Sequence, residues 1–248
     1  MSEYRDFLES SCDPPVRGFL HRPASPSGDG LVLTHGAGGN VKMAMFVALA
    51  EAFAGAGFTV LRCDLPFRQV RPFGPPRPSE AFRDRAGLAN ALAAMRKIAP
   101  RRLFLGGQSY GGRQASMLLA ERGEKQVPRL GNRFASESAS IARNDNSEET
   151  TGLADGLLLL SYPLHPPARP DQQRTQHLPD LHVLTLFVQG TKDPFGTIEE
   201  IDAARTLIPA RTNLLIVEGV GHDLGFAGKK RREDLPASVL AKFVEFFG

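Results

Sequence analysis

The most informative segment of this sequence is Gly107-Gln108-Ser109-Tyr110-Gly111. The apolar run Leu103-Phe104-Leu105 precedes it and predicts a buried strand, while the residues after Gly112 predict a short helix. A serine at such a turn from strand to helix has its hydroxyl exposed at the end of the sheet, which suits a nucleophile. The segment therefore predicts a nucleophilic Ser109, although a purely structural glycine turn would have the same composition.

Strands and helices alternate along the rest of the chain. Short apolar runs predict strands at residues 31–33, 58–61, 157–160, 183–188 and 214–217. Longer stretches between these runs place apolar residues at helical spacing. Such alternation predicts an α/β fold, in which a mostly parallel, twisted sheet has helices on both faces.

Several helix boundaries have local signals. Proline removes a backbone donor, so residues 66–78 are expected to form a loop without a helix, and Ser79 is expected to cap the helix that follows. Thr197 and Glu200 have the spacing of a capping box. The last helix is expected to bury Val239, Leu240, Phe243, Val244 and Phe247.

The composition is that of a globular protein. The chain has 248 residues, of which 42% are hydrophobic, so it can bury a sizeable core, and residues 1–248 are expected to form a single domain. The 30 Lys and Arg nearly balance the 27 Asp and Glu, for a net charge of +3. The basic run Lys229-Lys230-Arg231-Arg232 precedes two acidic residues and is interpreted as a solvated loop. No nucleic-acid partner is therefore expected.

The sequence lacks the usual signals for metals, disulfide frameworks and membranes. Its two cysteines, Cys12 and Cys63, are interpreted as reduced thiols. Neither C-x-x-C nor H-E-x-x-H spacing occurs, so no metal and no cofactor are expected. No run of about 18 apolar residues occurs, and the charged N-terminus lacks an apolar segment, so we expect no membrane partner and a cytoplasmic location.

A serine nucleophile requires a base and a group that orients this base. Asp193 follows a predicted strand and is the candidate orienting acid, although an Asp-Pro turn would give the same local pattern. His222 follows the last predicted strand, in a loop with two glycines, and is the candidate base. Serine elbows of this kind use the chain order Ser, Asp, His, which is the order found here.

The glycine-rich turn at residues 34–40 follows the first predicted strand. Its small residues allow backbone N–H groups to approach a substrate oxygen, so the oxyanion donors are assigned to Ala37 N–H and Tyr110 N–H. Gly38 is the alternative to Ala37. A phosphate-binding loop is the rival interpretation, but the residues of a P-loop and the G-x-G-x-x-G spacing do not occur. His35 is expected to brace this turn.

Four segments resemble motifs of the α/β-hydrolase superfamily and occur in the order typical of that superfamily. The resemblance covers residues 31–248. The four segments are His35-Gly36-Ala37-Gly38-Gly39, Gly107-Gln108-Ser109-Tyr110-Gly111, Gly190-Thr191-Lys192-Asp193-Pro194 and Gly221-His222. The chain also resembles a small, largely uncharacterised hydrolase-like group with bacterial members and testis-expressed animal relatives. The segments that suggest this group are Asp64-Leu65-Pro66-Phe67-Arg68, Gly106-Gly107-Gln108-Ser109-Tyr110-Gly111-Gly112-Arg113 and Ser161-Tyr162-Pro163-Leu164-His165. The resemblance implies the fold and the triad but supplies no substrate.

Two connections bear on access to the site. Hydrolases with lids usually insert them after the strand that follows the nucleophile helix, but here that connection, residues 163–181, is short. We therefore expect no cap domain and an open site. Residues 123–152 are polar and are expected to form a flexible insertion at the amino ends of the strands, opposite the site. This insertion is a candidate segment for binding a protein partner, not a lid.

Candidate substrate contacts follow two of the strands. The loop after the second predicted strand carries Arg68, Arg71 and Arg77, and the hypothesis is that one of them binds an anionic group of the substrate. Solvated surface arginines are the alternative. Tyr162 and His165 follow another strand and are further candidates by position.

Together these features predict a serine hydrolase that acts on a small ester, thioester or related acyl substrate through an acyl-enzyme intermediate. The alternative is a non-catalytic binding or scaffold protein with the same fold, because fold does not dictate function. Such a scaffold would have no need for three matched catalytic residues.

Overall fold

The computed structural model describes residues 4–126, 152–227 and 231–248. The strands are β1 (Tyr4–Glu9), β2 (Val16–His21), β3 (Gly30–Thr34), β4 (Thr59–Cys63), β5 (Leu103–Gln108), β6 (Gly156–Leu160), β7 (Thr185–Gly190) and β8 (Thr212–Val217). The helices are α1 (Ala44–Gly55), α2 (Pro66–Val70), α3 (Ala81–Arg96), α4 (Tyr110–Gln126), α5 (Ile198–Arg205) and α6 (Leu235–Phe247).

The eight strands form one sheet in the order β1-β2-β4-β3-β5-β6-β7-β8. Strands β3 to β8 run parallel to one another, and β2 is antiparallel to both β1 and β4. The predicted mostly parallel sheet is therefore confirmed. Strands β1 and β2 were not predicted. In β1, at the edge of the sheet, most residues are exposed, and in β2 the exposed Arg17 and the glycine after it interrupt the apolar pattern.

Hydrophobic side chains pack on both faces of the sheet. Leu31 and Leu33 of β3 join a cluster with the apolar sides of α1 and α6, whereas Val32 joins a second cluster with residues of α2 to α5. Helices thus cover both faces, as predicted. In α6, Val239 is buried, but Val244 is 48% exposed, so the predicted burial of Val244 is wrong.

The starts of the helices depart from the sequence prediction in one segment and follow it in another. The prediction that residues 66–78 contain no helix is wrong, because α2 begins at Pro66. Proline is tolerated in the first turn of a helix, where the missing N–H would have no helical acceptor. Helix α3 begins after a 3₁₀ turn and not at a cap formed by Ser79. The capping box is confirmed, because Thr197 Oγ1 accepts from Glu200 N–H at 3.2 Å and the Glu200 carboxylate accepts from Thr197 N–H at 2.8 Å.

The connection between α4 and β6 joins the sheet at the amino ends of its parallel strands. Helix α4 reaches Gln126 and is longer than the short helix predicted. The rest of the predicted polar insertion at residues 123–152, up to residue 151, lies outside the described residues. Its expected flexibility and its binding of a protein partner therefore stay predictions.

The connection between β6 and β7 is irregular except for one 3₁₀ helix, Leu178–Asp180. No separate cap domain is present in the described ranges of the chain, as the short connection predicts. Among the described residues, no additional domain therefore covers the carboxyl ends of the parallel strands.

Two of the buried histidines, His21 and His177, make the stability of the fold depend on pH. Burial lowers the pKa of His21 and of His177 to about 4, and the charges of Arg62 and Arg113, respectively, act in the same direction. In the unfolded chain these imidazoles bind protons near pH 6.5, so the unfolded state binds more protons between about pH 4 and 6.5. Their contribution to stability is therefore present above pH 6.5 and is lost as the pH falls towards 4.

Acidification from pH 6.5 to 4 should lower the Tm of the wild type more steeply than the Tm of the double variant His21→Gln, His177→Gln. In the wild type these two imidazoles take up protons on unfolding, and in the variant they are absent. Scanning fluorimetry at several pH values measures the slope. The exposed His182 provides a matched control, and His182→Gln should keep the wild-type slope. Equal slopes in the double variant and the wild type would contradict the assignment.

Candidate active site

Ser109 lies at the sharp turn between β5 and α4. Its φ is 50°, in the left-handed region that residues other than glycine rarely adopt, and its N–H donates to Leu160 O of β6 at 2.9 Å. The turn requires glycine on both sides of the serine. A Cβ on Gly107 would lie 2.6 Å from the backbone of Gly111, and a Cβ on Gly111 would overlap His35 O. The two glycines therefore allow the close approach that this turn needs.

A chain of hydrogen bonds joins Ser109 to the two groups predicted from later strands. His222 Nε2 lies 2.7 Å from Ser109 Oγ, and His222 Nδ1 lies 2.8 and 3.0 Å from the two carboxylate oxygens of Asp193. Because a carboxylate only accepts hydrogen bonds, Nδ1 carries the proton and Nε2 is free to accept the serine proton. Asp193 Oδ1 also accepts from Phe195 N–H at 2.9 Å, so this aspartate forms a local turn as well.

The loops after β7 and β8 hold the His222 imidazole in place. They are joined to each other, since Lys192 N–H donates to Val220 O at 2.9 Å. Gln108 Nε2 donates to His222 O at 3.1 Å, and the Phe195 ring covers the imidazole with the ring centroids 4.2 Å apart. These contacts restrict the rotation of the imidazole that Ser109 faces.

The predicted oxyanion donors border one cavity with the serine. Residues 36–39, Ser109 and Tyr110 all line this cavity. Among the hydrogen bonds of the described residues, Ala37 N–H and Tyr110 N–H have no protein acceptor, so both are available to a substrate oxygen. The same holds for Gly38 N–H, so the choice between Ala37 and Gly38 stays open.

His35 is fully buried beneath the glycine-rich turn. Its Nδ1 donates to Gly36 O at 2.8 Å, and its Nε2 accepts from Leu65 N–H at 3.1 Å. Burial lowers the pKa of His35 and favours this neutral form. The geometry matches the expectation that His35 braces the turn and takes no part in chemistry.

Arg68 holds the same turn from its other side and does not reach the cavity. Its side chain is buried and donates to four backbone carbonyls, which are those of Ala37 at 2.7 Å, Gly39 at 2.9 Å, Arg71 at 3.1 Å and Gly74 at 3.1 Å. A guanidinium has five N–H donors, and most of them are thus occupied. This corrects the hypothesis that Arg68 binds an anionic group of the substrate.

Tyr162 and His165 also lie outside the residues that line the cavity. The Tyr162 ring is buried, and its hydroxyl donates to Arg174 O at 2.9 Å. The His165 ring is buried too, and its Nε2 lies 3.1 Å from the carboxylate of Glu200. Both residues follow a strand at the correct end of the sheet, but their side chains turn into the protein. The prediction that Tyr162 and His165 contact the substrate is therefore corrected: both side chains pack inside the protein.

The Tyr110 side chain anchors the first turn of α4. Its hydroxyl donates to Asp84 Oδ2 at 2.7 Å, and Asp84 Oδ1 accepts from Phe67 N–H at 3.0 Å. Burial raises the pKa of the Asp84 carboxyl and that of the Tyr110 hydroxyl. The pair connects α4, which supplies the Tyr110 N–H, to α2 and α3. Sequence reasoning did not identify Asp84, because nothing in a helical pattern marks the partner of a distant tyrosine.

The cavity beside Ser109 has a volume of about 500 Å³. Its lining includes apolar side chains, namely those of Met43, Pro163 and Phe195. It also includes Arg113 and Arg174, which the sequence analysis did not select. The spacing offered a signal for Arg113, which lies one helical turn after the serine and donates its N–H to Ser109 O at 2.9 Å. Arg174 lies in an irregular connection, where the sequence offers no comparable signal.

Metal ligands and thiols form no second reactive centre in the part of the chain that the structure describes. No group of three or more His, Cys, Asp or Glu side chains there is placed to hold a metal ion. Cys12 and Cys63 are both free, and burial raises the pKa of the Cys63 thiol to about 12, which makes it unreactive at neutral pH. None of the described helices is long and apolar enough to cross a membrane.

Arg68→Ala is expected to lower kcat for a small ester by about tenfold, because the turn that carries an oxyanion donor loses its support; complete loss of one such donor costs about 10²–10³-fold. Arg71 provides the matched control. It pairs with Glu80 at 2.5 Å and does not line the cavity, which also corrects its predicted role in substrate binding. Steady-state kinetics should show Arg71→Ala near wild type, and an equal kcat in Arg68→Ala would refute the bracing role.

The chain is similar to a known family and to several solved structures. The model of the family described as alpha/beta hydrolase domain matches residues 28–246. An alpha-beta serine hydrolase homologue from Coxiella burnetii is 17% identical, with 98% of each chain covered and a TM-score of 0.65. A dienelactone hydrolase from Anabaena variabilis is 18% identical, with 99% of this chain and 97% of that chain covered and a TM-score of 0.67.

A serine hydrolase without lid from Xanthomonas campestris is 15% identical, with 99% of this chain and 95% of that chain covered and a TM-score of 0.65. At these identities the solved structures show a shared fold alone. The family match spans most of the chain, and the sheet order and helix placement described above agree with it. The chain therefore belongs to the alpha/beta hydrolase domain family and has the α/β-hydrolase fold.

Proposed function

We propose that this protein is a serine hydrolase that cleaves a small ester, thioester or related acyl substrate through an acyl-enzyme intermediate. The observation that carries the proposal is the hydrogen-bond chain from Ser109 Oγ to His222 and on to Asp193, with both contacts under 3.1 Å. The cavity beside this hydrogen-bond chain is also lined by Ala37, Gly38 and Tyr110, whose backbone N–H groups have no protein acceptor among the described residues. A nucleophile, a base, an orienting acid and oxyanion donors are the parts that acyl transfer requires.

In the proposed mechanism, Ser109 Oγ attacks the carbonyl carbon while His222 Nε2 accepts the hydroxyl proton. The carbonyl oxygen becomes negatively charged and accepts hydrogen bonds from Ala37 N–H and Tyr110 N–H. Collapse of the tetrahedral intermediate breaks the bond to the leaving group, which takes the proton from His222. Water then attacks the acyl-enzyme with the same base, and the carboxylic acid leaves. Asp193 holds the Nδ1 proton and stabilises the imidazolium throughout.

Hydrolysis of 4-nitrophenyl butyrate and of a phenyl thioester tests the proposal. Wild type should release nitrophenol with a burst followed by steady turnover, which is the kinetic sign of an acyl-enzyme with slow deacylation. Ser109→Ala should show neither phase, and Ser79→Ala, at an exposed serine, should behave as wild type. A wild type without turnover on any acyl substrate would favour the scaffold alternative.

Within the family, we also propose that the chain is a member of the small hydrolase-like group with bacterial members and testis-expressed animal relatives. The segments at residues 64–68, 106–113 and 161–165 support this placement. These segments contain Arg68, which holds the glycine-rich turn, the serine turn itself and the buried Tyr162. A phylogenetic tree in which the chain branches outside this group would overturn the placement.

A further inference from the structure

Two arginines line the cavity that contains Ser109. Arg113 lies in the first turn of α4, four residues after the serine, and Arg174 lies in the connection between β6 and β7. Both side chains are half-buried. Neither has a carboxylate within 4.0 Å among the residues that the structure describes. Distant parts of the chain thus bring the two cations together, and no described residue provides a carboxylate counter-ion.

Much of the hydrogen-bonding capacity of these arginines is unused within the part of the chain that the structure describes. Arg113 Nε is buried and has no acceptor within the described ranges, which is unfavourable for a charged donor removed from water. Arg174 donates one bond, from Nη1 to Pro163 O at 3.1 Å, and its remaining N–H groups have no protein acceptor in the same ranges. Arg113 Nε is a buried donor without an acceptor in the described ranges, and such a donor is expected to have a partner, so an anion from outside the chain would complete the arrangement.

The charges around the cavity are unbalanced in favour of an anion. Burial lowers the pKa of Arg174, and the charge of Arg113 lowers it further, so the two guanidinium groups repel each other. Asp223 is the acidic residue in the lining, and its carboxylate accepts from Ala227 N–H at 2.5 Å without pairing with either arginine. His222 faces the serine, and the Asp193 carboxylate is engaged by this imidazole.

We propose that Arg113 and Arg174 bind an anionic group, a carboxylate or a phosphate, on the acyl substrate that Ser109 attacks. The inference rests on the proposed function and specifies its substrate class: a small acyl compound with an apolar segment and a negative charge. Met43 and Phe195 provide apolar walls for the first part, and the two arginines provide paired donors for the second. The anion-binding role predicted for the arginines after β4 thus belongs to a different pair.

A matched pair of esters tests the inference. 4-Nitrophenyl hydrogen glutarate differs from 4-nitrophenyl pentanoate in that a carboxylate replaces the terminal methyl group. Wild type should prefer the glutarate ester in kcat/KM by tenfold or more, after subtraction of spontaneous hydrolysis. Arg113→Gln and Arg174→Gln should each reduce this preference about tenfold, because each removes charge-assisted hydrogen bonds. The ratio is measured on one sample, so a partly unfolded variant does not distort it.

Two control variants sharpen the result. Arg169 lies in the same connection as Arg174 but is exposed and does not line the cavity, so Arg169→Gln should keep the wild-type preference. Arg113→Lys keeps the charge and should recover part of the preference that Arg113→Gln loses. Competition by free glutarate and by phenyl phosphate distinguishes the two anion chemistries. If glutarate or phenyl phosphate inhibits the wild type, and this inhibition is weaker in both glutamine variants, the inference is supported. If neither compound inhibits the wild type, the inference is contradicted.

The outcomes separate this inference from the proposed function. If wild type hydrolyses both esters at equal kcat/KM in a Ser109-dependent manner, the anion-binding inference is wrong and the hydrolase proposal stands. The same conclusion follows if the preference is unchanged in both glutamine variants. If hydrolysis of both esters persists in Ser109→Ala, the hydrolase proposal itself fails, and the inference fails with it.

Discussion

His222→Ala is expected to lower kcat for 4-nitrophenyl butyrate by about 10⁶-fold, the cost observed when a base of this type is removed from a serine hydrolase. Its Nε2 lies 2.7 Å from Ser109 Oγ, so it is placed to take the proton that the serine must lose in order to attack. Without this base, the hydroxyl remains a weak nucleophile. The remaining activity should come from the oxyanion donors and substrate binding alone.

The matched control for this variant is His182→Ala, because His182 is exposed and lies at the opposite end of β7 from the site. Kinetics with both variants and circular dichroism to compare their folding make the comparison direct. A folded His222→Ala protein that retains kcat within tenfold of the wild type would rule out His222 as the base.

Asp193→Asn is expected to lower kcat by about 10⁴-fold while leaving KM for the same ester nearly unchanged. Both carboxylate oxygens accept from His222 Nδ1, which keeps the proton on this nitrogen. An amide in the same place can donate instead of accept, so it favours the tautomer with the proton on Nε2. In that tautomer the imidazole cannot take the serine proton.

Asp202 is the control for this exchange, since it is exposed on α5 and pairs with Arg205 at the surface. Asp202→Asn should keep the wild-type kcat. The predicted loss appears in kcat because the orienting role is needed in the transition state and not for binding. A loss that appears mainly as a higher KM would mean that Asp193 shapes the binding site and does not orient the base.

The residues of the hydrogen-bond chain could be predicted from sequence because each follows a strand. Parallel strands bring their carboxyl ends to one edge of the sheet, so chain order and strand position alone place Ser109, Asp193 and His222 near one another. The backbone of this region is determined locally, by the glycines two residues before and two residues after the serine. The sheet was predictable for the same reason, since β3 to β8 are apolar and regular.

The side chains around the Ser109–His222–Asp193 hydrogen-bond chain were not predictable in the same way, because their partners come from distant segments of the sequence. Arg68 and Arg113 are both arginines close to a strand end. Arg68 donates to carbonyls of the glycine-rich turn, whereas Arg113 Nε has no acceptor among the described residues. Tyr162 follows a strand and still turns into the core. Which of several polar residues faces a cavity depends on packing that no local pattern records.

Covalent labelling with a fluorophosphonate probe tests the central claim, that Ser109 is the nucleophile, most directly. Attack by the serine oxygen forms a P–O bond and releases fluoride, so the adduct marks the attacking atom without any assumption about the substrate. Tryptic cleavage after Arg102 and Arg113 places Ser109 in a peptide with no other serine. We predict one adduct per chain, on this peptide, with none in Ser109→Ala. Labelling of another peptide, or equal labelling of Ser109→Ala, would contradict the assignment.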